Sequence, residues 1–371
     1  MNILYTESSP NMGGQEIQSI NQMLALCAKG HSITLACKKN SKISFLAKNT
    51  GIDISYLSFR NGVDLLSVYK LLKIIHKFSP DIIVCHSGHD SSIVGIIRLL
   101  LFASQWRPLV VRQKTYLTSK VKTFSLNYMN DIVIVPGREI KEKLVRSGCL
   151  ENKIKIFPPG FNFKKLRREL TLNLPAHIKS WLENSEKYPV IIQVGMLRPE
   201  KAHDFMLKVL EQLMYEGKNF RYLIIGGGKA EVRKNLQFLI TSKKLSDRVY
   251  MAGEVFPVMP VYRYADLAVV PSRNESFGMA AVEALSVGVP VFASQVGGIP
   301  DIIQNNINGI LLSVDNQKAW TGALSDFLNN PEFYKKMVKQ AGADVEQRFD
   351  IQNIAMSILS LKTKDINELK S

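Results

Sequence analysis

Thirteen short apolar runs, separated by stretches with helical spacing, recur along almost the whole of this 371-residue chain. In the first half they read NILYT (Asn2–Thr6), ITLAC (Ile33–Cys37), ISYLSF (Ile54–Phe59), IIVCH (Ile82–His86), LVVRQ (Leu109–Gln113), IVIV (Ile132–Val135) and KIKIF (Lys153–Phe157). In the second half they read VIIQVG (Val190–Gly195), YLIIGG (Tyr222–Gly227), VYMAG (Val249–Gly253), LAVVP (Leu267–Pro271), VPVFAS (Val289–Ser294) and GILL (Gly309–Leu312). Runs that are apolar without alternation suit strands covered on both faces, and helices between them make the sheet parallel. Two successive sets predict an α/β protein of two Rossmann-like, doubly wound parallel-sheet domains. The length agrees, because a single core stops growing beyond roughly 250–300 residues. The Pro-Pro-Gly within FPPGFNFKKLRREL (Phe157–Leu170) ends the last strand of the first set. We therefore expect domains over 1–165 and 166–349, with a final helix at about 350–371 packing back on the first.

Composition narrows the classes. No run reaches the roughly 18 apolar residues of a membrane span; the nearest, after Ser92, is interrupted by Arg98. MNILYTESSP has neither a basic segment nor a small-residue cleavage site, so no secretory signal is expected. Cys27, Cys37, Cys85 and Cys149 lack paired spacing, which fits reduced thiols in the cytoplasm. Net charge is +16, and residues 1–165 hold 23 Lys/Arg against 10 Asp/Glu, about +13 of it. Such a surplus attracts an anionic partner. No recognition-helix or RNA-binding signature accompanies it, so nucleic acid is not expected.

The stretch LAVVPSRNESFGMAAVEALSVGVPVFAS reads as strand, loop, helix, loop, strand. Ligands bind at the carboxyl ends of parallel strands, so Ser272–Phe277 is a candidate ligand loop. A helix starting near Phe277 turns its positive dipole end toward that loop, a setting that favours phosphate. Gly278 lets backbone approach closely. Glu275 precedes the helix and Glu283 lies within it, and carboxylates accept hydrogen bonds from sugar hydroxyls. A phosphate-favouring helix end between two such carboxylates suits a nucleotide sugar.

NESFGMAAVEALSVGVPVFASQVGGIPDII resembles the Glu-x7-Glu signature of retaining glycosyltransferases of the GT-B fold, family-4 type. The resemblance runs from Met1 to about Ile354. It implies two domains facing a central cleft, with Glu275 on the donor sugar and Glu283 on the ribose. Ser276, Phe277, Gly278 and Met279 match the segment that faces sugar and diphosphate. QVGMLRPEKAHDFML (Gln193–Leu207) is similar to the segment whose Arg and Lys bind the diphosphate. Lys201 matches the lysine; the usual arginine position holds Met196, and Arg198 stands in for it. Gly253, Glu254 and Val255 fall where backbone wraps the base. Gly13 and Gly14 correspond to the glycine-rich loop that meets the diphosphate from the first domain. The donor is a UDP-, GDP- or ADP-linked sugar, and no cofactor is implied. The chain contains no Asp-x-Asp, so the resemblance implies a metal-independent transfer with Glu275, Lys201, Arg198 and His86 as catalytic candidates.

On the acceptor side, VCHSGHDSS places His86, His89 and Asp90 at a strand end, and Arg112 and Lys114 lie at the end of the next strand. Where lipopolysaccharide-type members carry a second histidine, this chain has Thr115. The expected acceptor is an anionic glycan or glycolipid. SKVKTFSLNYMN (Ser119–Asn130) and FKKLRREL (Phe163–Leu170) interleave basic residues with apolar ones such as Leu126, Tyr128 and Met129. Both are expected on the first domain, resting on the acidic inner face of the cytoplasmic membrane. A GT-B sugar epimerase and a silent nucleotide-sugar-binding relative are alternatives. A Rossmann dehydrogenase would need a Gly-x-Gly-x-x-Gly after the first strand, where SSPNMGGQE stands instead.

Overall fold

A computed structural model describes residues 1–11, 13–101, 104, 107–116, 121–183 and 188–368. The chain divides into two compact units, Met1–Asn162 with Phe349–Ser371, and Phe163–Arg348. All thirteen expected strands form. They are β1 (Asn2–Glu7), β2 (Ser32–Cys37), β3 (Asp53–Tyr56), β4 (Ile82–Cys85), β5 (Leu109–Gln113), β6 (Ile132–Val135) and β7 (Ile154–Ile156) in the first unit. In the second they are β8 (Val190–Val194), β9 (Arg221–Ile225), β10 (Val249–Gly253), β11 (Leu267–Val270), β12 (Val291–Ser294) and β13 (Ile310–Leu312).

The first sheet runs β3-β2-β1-β4-β5-β6-β7 and the second β10-β9-β8-β11-β12-β13, each parallel throughout. Strand period explains why the runs are continuously apolar. Along β1, Ile3 and Tyr5 join a core cluster with Leu35 and Val84 on one face. Leu4 joins Ala36, Ile83 and Val110 on the other. The helix Ile351–Glu368 covers the first of these faces and packs on the helix Gly14–Ala28. The second unit buries Trp320, Tyr222, Phe292 and Phe327 completely.

Two surface expectations need correction. The basic helix Phe163–Leu170 belongs to the second unit: Phe163 is buried, the helix packs on the helix Met259–Tyr262, and Arg167 grips Glu346 with two hydrogen bonds (2.7 and 3.0 Å). Leu126 is also unavailable to a membrane, because it sits in a core cluster with Val133 and Leu144. Its neighbours Phe124 and Tyr128 are exposed. Ser119 and Lys120 lie outside the described residues. Among the described residues, no helix is long and apolar enough to cross a membrane.

Candidate functional site

In a doubly wound sheet the strand order reverses at one point, and the loops there splay apart to leave a crevice. The reversal lies between β8 and β11 in the second unit and between β1 and β4 in the first. Both polar constellations found in the sequence stand at these two points.

In the second unit, the loop after β8 carries Lys201 and the loop after β11 carries Glu275. Lys201 Nζ donates to Glu275 Oε2 at 2.5 Å, and Ser272 Oγ donates to the same oxygen at 3.3 Å. Both charged side chains are partly exposed. Buried groups hold the lysine from beneath. Gln193 Nε2 donates to the Lys201 carbonyl (2.7 Å), and Tyr222 Oη donates to Gln193 Oε1. Arg273 ties the two loops together through a bidentate pair with Asp204 (3.0 and 3.1 Å), a bond to the Pro199 carbonyl (2.9 Å) and a pair with Asp315. Arg198 stands apart from this pair, exposed, 3.7 Å from Glu200.

Glycines let the loops stack. Gly297, at φ +59°, lies so close that a Cβ would come within 1.5 Å of the Glu275 carbonyl oxygen. A Cβ on Gly298 would meet Ser276 and Phe277 backbone at 2.7 Å. Gly226 presses on the Gly195 carbonyl in the same way. Gly278 (φ +113°) caps the helix Met279–Ser286, whose positive end opens at the Ser272–Phe277 loop. Glu283, on that helix, accepts from Tyr262 Oη at 3.1 Å. Burial, reinforced by nearby Glu169 and opposed by the Tyr262 bond, pushes its carboxyl up to about 7. Gly253 (φ +79°) ends β10, followed by exposed Glu254 and half-buried Val255. The Glu254 carboxylate lies against Gly227.

The first unit gathers more than was expected. Asp90 is fully buried and accepts from Thr6 Oγ1 (2.9 Å), Ser8 Oγ (2.8 Å) and the His86 amide (3.0 Å). His86 is also buried and stacks on Tyr5. Its Nδ1 faces the Thr6 carbonyl (3.2 Å), and its Nε2 lies 2.8 Å from Ser19 Oγ, whose hydroxyl donates to the Gln15 carbonyl (2.9 Å). Gln113 also lies against Nε2. Burial lowers the His86 pKa, which keeps the ring neutral. His89 is exposed on the first turn of the helix Gly88–Leu100. Arg112 is buried and donates to the Ser87 carbonyl. Burial, with the Arg112 charge beside it, brings the Lys114 ammonium down to about 8. The Gly13 amide is taken by Glu16 (2.7 Å), while Gly14 opens the helix with free space around it.

Glu7 was not anticipated. It ends β1, fully buried, and accepts from the Ser9 amide (2.8 Å), Ser87 Oγ (2.5 Å) and Gln15 Nε2 (3.0 Å). Burial and then the Asp90 charge push its carboxyl up to about 7. A carboxylate closing a buried apolar strand ahead of a Gly-Gly turn was the available signal. Arg273 and the Gly297-Gly298 pair were likewise visible in PSRNES and SQVGGIP but were not singled out.

Two parallel doubly wound units with charged loops at their reversal points define the GT-B class. Solved structures share the fold: HepE from Anabaena in complex with UDP has a TM-score of 0.82 at 19% identity, covering 98% of this chain and 100% of that one. A glycosyltransferase from Rickettsia africae gives 0.84 at 19%, covering 98% of each. Two family models match, "Glycosyltransferase Family 4" over residues 12–165 and "Glycosyl transferases group 1" over residues 177–344, so the chain carries one glycosyltransferase domain of each kind. A relative named D-inositol 3-phosphate glycosyltransferase, from Segniliparus rotundus, is 30% identical over 216 residues, 56% of this chain and 46% of the relative. The chain spans about half the length of the curated relatives it matches.

Proposed function

We propose that the chain transfers a sugar from a nucleotide-sugar donor to an anionic glycan or lipid-linked acceptor, with retention at the anomeric carbon and without a metal. The observation that carries this reading is the Lys201–Glu275 pair at the reversal point of the second sheet. It sets a hydrogen-bond acceptor for sugar hydroxyls one bond away from a cation for phosphate. A donor entering there replaces the ion pair with two better-matched contacts, Glu275 to a hydroxyl and Lys201 to the diphosphate. Arg198, exposed and loosely paired, adds a second cation to the leaving group. These charges stand where negative charge grows as the glycosidic bond breaks, which is the use of preorganised electrostatics in catalysis. Glu283 is then the partner of the ribose, and the backbone at Gly253–Val255 the partner of the base.

The acceptor is assigned to the first unit, where Arg112 and Lys114 supply charge. Relatives named for inositol 3-phosphate support a phosphorylated acceptor. A place in lipopolysaccharide or other surface-glycan assembly, at an acidic cytoplasmic membrane face, accounts for the basic surplus.

The test is a thermal-shift screen of UDP-, GDP- and ADP-sugars, beginning with UDP-glucose, the ligand of one HepE structure. A donor at a hundredfold over its Kd stabilises by about 2.7 kcal/mol. No stabilisation by any of the three classes removes the reading. Transfer that persists in excess EDTA supports the metal-free form, and loss reversed by magnesium or manganese removes it.

A further inference from the structure

At the carboxyl edge of the first sheet, three polar side chains from three elements form a directed chain. Glu7 ends β1, Gln15 lies in the first turn of the helix Gly14–Ala28, and Thr115 follows β5. Gln15 Nε2 donates to Glu7 Oε2 (3.0 Å), and Thr115 Oγ1 donates to Gln15 Oε1 (2.6 Å). The direction is set from inside outward. Glu7 is buried, and its Oε1 already receives the Ser9 amide and the Ser87 hydroxyl. As a carboxylate it can only accept, so it turns the Gln15 NH2 inward. That leaves the Gln15 carbonyl to take the Thr115 proton. Thr115 Oγ1 then offers only lone pairs to anything beyond it. Gln15 and Thr115 are half-buried, at the boundary between network and solvent. Lys114, half-buried, precedes Thr115 in the chain just beyond the end of β5.

We propose that Glu7 and Gln15 are positioning residues that hold Thr115 as a hydrogen-bond acceptor for a hydroxyl of a phosphorylated polyol or sugar. The proposal rests on the transferase reading above and gives its acceptor side a substrate class. A hydroxyl can give Thr115 a proton; a methyl ether at the same position cannot.

The experiment is calorimetric binding of D-inositol 3-phosphate to the full chain, with UDP present. The pH is 7.5, between the Glu7 and Lys114 values of about 7 and about 8. Thr115→Val and Glu7→Gln are each expected to weaken binding roughly tenfold, the worth of one hydrogen bond. In Glu7→Gln the new amide offers a proton, Gln15 turns over, and Thr115 loses its acceptor-only state. The double variant should bind no more weakly than Thr115→Val alone, because both changes act through one hydroxyl. UDP affinity should be the same in all. Should Glu7→Gln fail to fold, Gln15→Leu, at a half-buried position, takes its place with the same expectation. Additive losses overturn the proposal, as does full affinity in the folded Glu7 or Gln15 variant. UDP affinity falling in step with probe affinity marks a merely structural role and overturns it too. So does a wild-type chain that binds UDP but not the polyol phosphate. A chain that binds no nucleotide sugar fails earlier, at the transferase reading itself.

Discussion

The two sheets carry polar groups at the same topological position but in opposite states. At the β8/β11 reversal, Lys201 and Glu275 come from loops, stay partly exposed and have chiefly each other as partners. At the β1/β4 reversal, Glu7, His86 and Asp90 are buried and satisfied by serines, threonines, amides and glutamines. An ion pair that still reaches solvent is partly screened, so a ligand can take it apart more cheaply than a fully buried one. A buried network loses far more when one member goes, because its partners are left without water. The first arrangement is suited to exchanging partners with substrate, the second to holding a shape.

The sharpest way to break this comparison is one substitution in each. Glu275→Ala should lower kcat by roughly a hundredfold or more, the scale seen when a preorganised electrostatic group is removed. Its melting curve should stay that of the wild type. Asp90→Ala should do the reverse at the level of the fold, with a loss of roughly 3 kcal/mol in chemical denaturation, because two hydroxyls and an amide lose their acceptor. Full transfer by the Glu275 variant, or an unshifted denaturation curve for the Asp90 variant, ends the distinction.

Glycines give the next contrast. Gly297→Ala puts a Cβ into the Glu275 carbonyl at a left-handed φ, so the loop must move. Stability should fall by about 2 kcal/mol or more, and transfer with it. Gly14→Ala meets nothing within 4 Å and keeps its amide; it should be neutral or gain a few tenths of a kcal/mol. Equal effects at the two positions would show that loop stacking does not hold the second-unit site.

These pairs also mark what the sequence could reveal. Continuous apolar runs found every strand because both faces of each sheet are covered, as Ile3 and Leu4 show by entering different clusters. The Ser272–Phe277 loop could be singled out because a carboxylate before a helix, with glycine between, is an uncommon pattern. Glu7 was legible only as a carboxylate closing an apolar strand, not as the centre of a network. Its importance comes from Ser87, Gln15 and Asp90 meeting it across as many as 83 positions of chain, and no local pattern encodes that. Arg273 was visible in PSRNES, but its bonds to Asp204 and Asp315, distant in sequence, were not. The basic helix Phe163–Leu170 was misplaced because charge spacing shows which face is wet, not which unit the dry face joins.

Titration offers a smaller effect that sharpens the first-unit side. The Glu7 carboxyl titrates at about 7 in the fold, against 4.5 for a free glutamate. Below pH 4.5 both states hold the proton and the site has no bearing on stability. Between 4.5 and about 7 the unfolded chain releases it while the fold retains it, so stability falls as pH rises; above 7 the loss is complete. Its full extent is of order 3 kcal/mol. Glu7→Gln should flatten that part of a melting-temperature profile, with Glu283→Gln doing the same in the second unit. A slope unchanged in both variants would mean that other groups carry it.

The smallest expected effect concerns the surface. The first unit exposes Phe124 and Tyr128 on the short helix Thr123–Tyr128, directly after Lys122. The second unit exposes Lys164 and Lys165 on a helix whose one fully buried residue, Phe163, faces its own core. An acidic leaflet attracts each nearby lysine by roughly 1 kcal/mol, and salt screens this within about 10 Å at 0.1 M. Only the first patch pairs that attraction with large apolar side chains able to insert. We expect the chain to sediment with anionic liposomes, not neutral ones, and to be released by high salt. Lys122→Glu combined with Phe124→Ser should weaken this by more than Lys164→Glu with Lys165→Glu, although the second pair reverses more charge. Equal weakening would mean that charge alone holds the protein to the bilayer and that no apolar contact contributes. No sedimentation even at low salt would return the basic surplus to the proposed anionic acceptor.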